Sequence, residues 1–233
     1  MTTVLEVENV SVRYGGILAV DDISFKVAQG ESVLLVGANG AGKSSLINAV
    51  MGLVPVSGGR VSFRGRDVTR LASSARARLG MGYSPEGRRV FSSLTVRENI
   101  LSGTLGLPMA EARRNLATIR DLFPLLDERA DQPANQLSGG QQQVVAIARA
   151  IGRMPRLLLL DEPFLGLAPV WIDQISAAIR DLQRNGTTIL MTEQMARPAL
   201  KLVDRVHVMR GGTVRRSGPV AEIREAALAE EYL

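Results

Sequence analysis

The 233-residue sequence contains no cysteine, which removes disulfides, thiolate nucleophiles and zinc–thiolate sites together and fits a cytosolic protein. Its single histidine, His207, cannot build a histidine-based metal cluster. Long apolar runs are missing as well. The longest aliphatic cluster, Leu157–Leu160, is far short of the ~20 residues that cross a bilayer, and the first residues are not a charged region leading into an apolar stretch. Any service to a membrane is therefore expected to be peripheral. Lysine is scarce, with Lys26, Lys43 and Lys201 alone, so 28 − 3 = 25 of the basic residues are arginine.

What is present describes a globular chain. With 45% apolar and 22% charged residues, the sequence can bury one large core with room for a smaller lobe, and disorder is excluded as the main state. The net charge of 28 − 23 = +5 is unevenly spread. Residues 60–97 hold nine arginines against Asp67 and Glu86, a local 9 − 2 = +7, leaving 5 − 7 = −2 elsewhere. A localised patch argues for one basic surface facing one partner and against a chain coated for wrapping nucleic acid.

Strand-like and helix-like runs alternate without repeats or long linkers, the pattern of an α/β fold. Strands are expected at Val4–Val12, Ile23–Val27, Ser32–Val36, Arg60–Arg64, Met81–Ser84, Arg156–Leu160, Thr187–Met191, Arg205–Met209 and Thr213–Arg216. Helices are expected at Lys43–Met51, Met109–Phe123, Gly139–Gly152 and Pro169–Asn185, with a helix and a loose end over Val220–Leu233. Thr95-Val96-Arg97-Glu98 reads as a capping box opening a helical lobe of approximately 95–152 inserted in the α/β core.

Gly37-Ala38-Asn39-Gly40-Ala41-Gly42-Lys43-Ser44 fits G-x-x-x-x-G-K-[ST] and lies between a buried strand and a helix start, as that chemistry requires. The glycines let backbone N–H groups turn toward phosphate oxygens, and the helix N-terminus adds its positive end. Lys43 is expected to reach the β- and γ-phosphates and Ser44 to ligate Mg²⁺, with Ser45 next in the same turn. Leu157–Leu160 then carries Asp161 to a strand end where ligands gather, as a Mg²⁺ ligand, and Glu162 as the base for the attacking water. The N-K-x-D element of guanine-specific domains is absent, since the three lysines follow Phe, Gly and Leu.

Leu137-Ser138-Gly139-Gly140-Gln141 resembles the signature motif of the ATP-binding cassette (ABC) ATPases and lies between the phosphate loop and the Asp-Glu pair, in that family's order. Ser138 also serves as an ordinary helix N-cap, but two following glycines weaken a first turn unless a ligand comes close. The resemblance covers essentially the whole chain. It implies a P-loop NTPase fold over 1–233 with a RecA-like core, an antiparallel β subdomain and an inserted helical subdomain, binding ATP and Mg²⁺. Gly37, Asn39, Gly40, Ala41, Gly42, Lys43, Ser44 and Ser45 would hold one face of the nucleotide, and Ser138, Gly139, Gly140 and Gln141 of a second subunit the γ-phosphate. Tyr14, on the loop after the first strand, matches the aromatic residue that stacks on adenine.

Two positions depart from the family pattern: Glu86 stands where the glutamine loop has glutamine, and Gln194 where the switch has histidine. His207, in a later apolar strand, reads as structural. With Pro85–Phe91, Leu165–Pro169 and Glu193-Gln194, these departures resemble one subgroup, the smaller ATPase subunit of branched-chain (hydrophobic) amino-acid importers. Phe164 replaces a small hydroxyl residue of that subgroup, and Ala168 stands where an aspartate is common elsewhere. The implied activity is ATP hydrolysis, with Glu162, Gln194 and Lys43 catalytic and Ser44, Asp161 and Glu86 at the metal.

The implied partners are membrane permease subunits, a second ATP-binding subunit, sister or identical, and a periplasmic or lipid-anchored solute-binding protein, at the cytoplasmic face of the membrane. No nucleic-acid partner is expected. Importers of urea, amides or aromatic acids, exporter subunits, and soluble ABC ATPases acting on ribosomes or DNA are the alternatives. Arg88, Arg89 or Arg97 would meet acidic groups of the permease or anionic lipid.

Overall fold

The computed structural model describes residues 2–223. The expected C-terminal helix over 220–233 falls mostly outside the described residues, and its first part is a single 3-10 turn at Val220–Glu222. Strands β1 (Thr3–Tyr14) and β2 (Ile17–Ala28) form a hairpin. Both are longer than the alternation of apolar residues suggests. Register shifts and left-handed residues at Asn9 (φ 49°) and Asp22 (φ 50°) break the period of two while pairing continues. With β4 (Gly58–Phe63) and β5 (Arg66–Asp67) they make an antiparallel sheet in the order β2-β1-β4-β5, once β3 (Ser32–Val36) has passed into the other layer.

The second sheet runs β10-β9-β3-β8-β7-β6, using β6 (Met81–Ser84), β7 (Leu157–Asp161), β8 (Thr188–Glu193), β9 (Arg205–Arg210) and β10 (Thr213–Pro219). All pairs are parallel except β9–β10. Every residue of β3, β7 and β8 is buried because both faces are covered. Leu158 and Leu160 enter the core facing the helical side, whereas Leu157 and Leu159 enter the core shared with the antiparallel sheet. An unbroken leucine run is the form that requirement takes in sequence.

Helix α1 (Lys43–Met51) follows β3, and α2 (Ser73–Arg78) precedes β6. Between β6 and β7 come α3 (Val96–Ser102), α4 (Met109–Leu122), α5 (Leu125–Glu128) and α6 (Gly139–Ala150). Thr95 caps α3 through a complete capping box with Glu98. Helix α7 (Pro169–Arg184) opens on Pro169 and closes at Asn185-Gly186, and α8 (Ala196–Leu200) follows β8.

Two of the buried polar side chains, Arg76 and His207, carry structural roles away from the phosphate loop. Arg76, on the unanticipated α2, is 2% exposed, so it does not belong to a basic face. Its guanidinium donates to Ala49 O (2.8 Å), Val50 O (2.6 Å), Thr69 O (2.9 Å) and Leu71 O (3.0 Å), serving the carbonyl-rich C-terminus of α1 with a cation. His207 packs its ring on Phe25, with centroids 5.0 Å apart, and its Nδ1 lies 2.7 Å from Ser217 Oγ. Burial pushes its pKa down to about 4, and this structural role agrees with the sequence reading.

Arg76→Ala should cost on the order of 3 kcal/mol in urea unfolding, because several buried carbonyls lose their donor together. His207 gives a separate signature. Between pH 6.5 and about 4 the unfolded chain binds a proton that the folded chain refuses, so stability should fall as pH drops through that window. The contribution is on the order of 3 kcal/mol. His207→Asn should flatten that part of the stability profile, which comparison of unfolding curves at pH 4.5 and 7 checks.

Candidate nucleotide site

The phosphate loop leaves β3 at Val36 and enters α1 at Lys43. Gly42 takes φ 98°, and a Cβ there would overlap the Ala19 carbonyl, so this turn excludes any other residue. Lys43 is 4% exposed. Its Nζ donates to Gly37 O (2.8 Å) and Ala38 O (3.2 Å) and pairs with Glu162 Oε1 at 3.2 Å. Asn39, Gly40, Ala41, Gly42, Lys43, Ser44 and Ser45 share one cavity of about 310 Å³ with Glu86 and Glu162. Three segments far apart in sequence thus converge on one polar space.

Asp161 ends β7, which lies next but one to β3 in the sheet. Its Oδ1 accepts from Ser44 Oγ (3.0 Å) and Thr192 Oγ1 (2.6 Å), while the Tyr83 hydroxyl, bonded to Asn48 Oδ1 at 2.9 Å, stands 3.5 Å from Oδ2. Burial and the Asp161 charge hold the Tyr83 phenol well above its usual range, so it stays a donor. Glu162 is buried with φ 47°. Its N–H donates to both Thr192 O and Thr192 Oγ1, each at 3.1 Å.

Sequence reasoning ended β8 at Met191 and placed Thr192 and Glu193 only as neighbours of Gln194, with no role for their own side chains. The strand runs two residues further, and both side chains are buried. Glu193 Oε1 accepts from Phe164 N at 2.9 Å. Burial raises its pKa to about 8; the Phe164 N–H opposes that rise and the Glu162 charge adds to it. A run of apolar residues ending in Thr-Glu was the available signal, but only the partner strand's position gives it meaning.

The remaining candidates lie around this centre. Gln194 follows β8 half-buried and does not line the cavity. Tyr14 is the last residue of β1, not part of the loop beyond it, and is 46% exposed at a hairpin whose second strand touches the phosphate loop through Ala19. Ser138 opens α6 with a capping box: Ser138 Oγ accepts from Gln141 N (3.4 Å) and Gln141 Oε1 from Ser138 N (2.8 Å). None of Ser138–Gln141 lines the phosphate-loop cavity. The second glycine after Ser138 also has a packing reason within the chain. A Cβ on Gly140 would overlap the Trp171 ring, so packing within the chain already favours glycine there, whereas one on Gly139 would meet only the movable end of the Arg88 side chain.

A phosphate loop, an acidic strand end beside it and a second capped helix opening held apart from both define an ATP-binding cassette. A family model described as ABC transporter matches residues 20–165, and the chain belongs to that family of ATPases. It is 44% identical over 210 residues, 90% of either chain, to the high-affinity branched-chain amino acid transport ATP-binding protein BraG of Pseudomonas aeruginosa. It is also 35% identical over 224 residues to the lipopolysaccharide export system ATP-binding protein LptB of Acidithiobacillus ferridurans, covering 96% of this chain and 93% of that one.

Among solved structures, an ATP-binding cassette of an ABC transporter in its ADP conformation superposes with TM-score 0.86 at 27% identity, covering 100% of this chain and 99% of that one. An ATP-binding subunit of an ABC transporter gives TM-score 0.86 at 30% identity, covering 98% of each.

The packing role of Gly140 can be measured. Gly140→Ala should destabilise the fold by about 1–3 kcal/mol, the usual cost of overpacking, and the loss should shrink in a Trp171→Leu background. Additive losses in the double variant would mean the ring is not what the methyl meets.

Proposed function

We propose that this chain is the ATP-hydrolysing subunit of an importer for branched-chain or other hydrophobic amino acids. The observation that carries the reading is the 44% identity to BraG across nine-tenths of both chains. The subgroup-like segments Pro85–Phe91, Leu165–Pro169 and Glu193-Gln194 support it. LptB-type relatives support a second reading, an exporter ATPase.

The proposed chemistry starts from the Lys43–Glu162 pair. Both side chains are about 95% buried, so neither tolerates loss of its partner without replacement. Arriving β- and γ-phosphates replace Glu162 as the partner of Lys43, and backbone amides of 37–45 grip the remaining oxygens. Freed of its cation, the Glu162 carboxylate orients a water in line with the γ-phosphorus and takes its proton. Gln194 donates an amide N–H to the γ-phosphate and cannot act as a base. Tyr14 stacks on adenine.

Ser44 and Asp161 already share a hydrogen bond, and among the described residues no three His, Cys, Asp or Glu side chains cluster as a metal cage. One hydroxyl and one or two carboxylates, with nucleotide phosphates, are the donor set Mg²⁺ takes. Ser44, Asp161 and Glu86 would hold it, and the ion would neutralise charge on the phosphates.

Residues 1–233 form one cassette in this reading, with 95–152 as its helical lobe. Ser138, Gly139, Gly140 and Gln141 of a second copy or a sister subunit close on the γ-phosphate. Among the described residues no helix is long and apolar enough to cross a membrane. In the proposed reading permease subunits carry the path and this chain docks at their cytoplasmic face. A solute-binding protein delivers the cargo. Phe91, Leu101 and Leu105 are exposed around α3 and favour that lobe as the docking side. The arginines near it are partly engaged: Arg97 with Asp131 at 3.1 Å, Arg89 with Glu86 O at 3.3 Å, and Arg88 against Gly139.

Glu162→Gln should lower ATP turnover by about 10²–10⁴-fold, the range expected for a lost general base. ATP binding should persist, because the isosteric amide frees Lys43 without blocking it. Full turnover in that variant would remove Glu162 from the role. Purification of the tagged chain with its membrane subunits, followed by vesicle uptake of labelled leucine, tests the import reading. Capture of a lipopolysaccharide-exporting complex would favour the second reading.

A further inference from the structure

We propose that Glu193 is a positioning residue for hydrolysis: bonded to the Phe164 amide, it holds the turn after Asp161 so that the Glu162 carboxylate faces the phosphate loop. The inference rests on the reading of Glu162 as the base and adds a residue outside the expected catalytic set.

The geometry makes Glu193 a link between the two halves of the site. Its side chain accepts from Phe164 N at 2.9 Å, two residues beyond Glu162, and its backbone carbonyl accepts from Gly37 N at 3.4 Å at the start of the phosphate loop. Thr192, next to it, receives the Glu162 N–H on two oxygens and donates to Asp161. The end of β8 therefore grips the 161–164 segment at Asp161, Glu162 and Phe164.

Such a grip is needed because Glu162 sits at φ 47°, where a side-chain-bearing residue is strained and persists only when its surroundings over-determine it. The Phe164 ring is anchored in the core at 5% exposure, so its amide is fixed and buried, and Glu193 is the acceptor that satisfies it. With that acceptor removed, the turn loses one of its three attachments to the end of β8, the one beyond Glu162. A displacement of the carboxylate by even an ångström separates it from the water it must orient.

Gln194 is the next residue, which gives the arrangement a direction. A contact between Gln194 and the γ-phosphate pulls on the same strand end that holds Glu162, so sensing of nucleotide and placement of the base share one element.

The test uses the purified full chain with Mg-ATP, reading kcat, KM and nucleotide affinity. Glu193→Gln keeps an acceptor at the same reach and should stay within about threefold of wild type. Glu193→Leu and Glu193→Asp, which remove the acceptor or withdraw it, should lower kcat by about 10–100-fold with KM for ATP nearly unchanged. Wild-type kcat in Glu193→Asp overturns the proposal, as does an equal loss in Glu193→Gln, or a loss confined to KM. If the leucine variant fails to fold, the Gln and Asp pair decides.

Adding Glu193→Asp to Glu162→Gln should cause little further loss, because a group that acts only through Glu162 has nothing left to position. Full turnover in Glu162→Gln alone would overturn the base assignment itself. A dead Glu162→Gln beside an active Glu193→Asp would overturn only the role given to Glu193.

Discussion

The Lys43–Glu162 ion pair is the contact on which the site is built. An ammonium and a carboxylate held 3.2 Å apart at 4% and 5% exposure each depend on the other, since an unpartnered charge at that depth costs several kcal/mol. The pair ties the first residue of α1 to the end of β7, across the intervening strand β8. It also closes the site on itself: two loop carbonyls and one acid occupy the cation that a triphosphate would claim. In the proposed mechanism nucleotide binding is an exchange of partners for Lys43, and that exchange liberates the acid.

Packing brings those two residues together. Strands β3 and β7 are buried along their whole length because both faces of the parallel sheet are covered, by helices on one side and by the antiparallel sheet on the other. Five-residue strands give no latitude in register without moving a leucine out of its layer. The pairings Leu35↔Thr192 and Asp161↔Thr192 therefore set the loop after β3 and the acids after β7 on the same edge of the sheet, with Thr192 between them.

The legible part of this arrangement was local. The phosphate loop, the Asp161-Glu162 pair, the Thr95 capping box, and the Pro169 start and Asn185-Gly186 stop of α7 each sit within a few consecutive residues, where a side chain and the backbone it serves are neighbours. Thr192, Glu193, Tyr83 and Arg76 were not legible, because each acts on a segment brought close only by folding. Arg76 shows the difference most sharply: in sequence it is one of nine arginines, and in the fold it is the buried cap of α1. Gly140 shows a second kind of illegibility: its place in the motif reads as room for a ligand, and the fold adds that the Trp171 ring leaves no space for a side chain there.

That packing requirement does not remove the helix opening from the proposed chemistry; it narrows which atoms take part. The capping box uses the Ser138 and Gln141 backbone N–H groups, leaving the amides of Gly139 and Gly140 in the first turn, where no intrahelical acceptor exists. Two free amides at the positive end of a twelve-residue helix suit an anion, but Ser138–Gln141 stand outside the cavity of their own phosphate loop. In the proposed reading a γ-phosphate held by one loop meets such amides on another chain. The proposed catalytic unit is thus a pair of subunits, and in this reading each chain carries half of two sites instead of the whole of one.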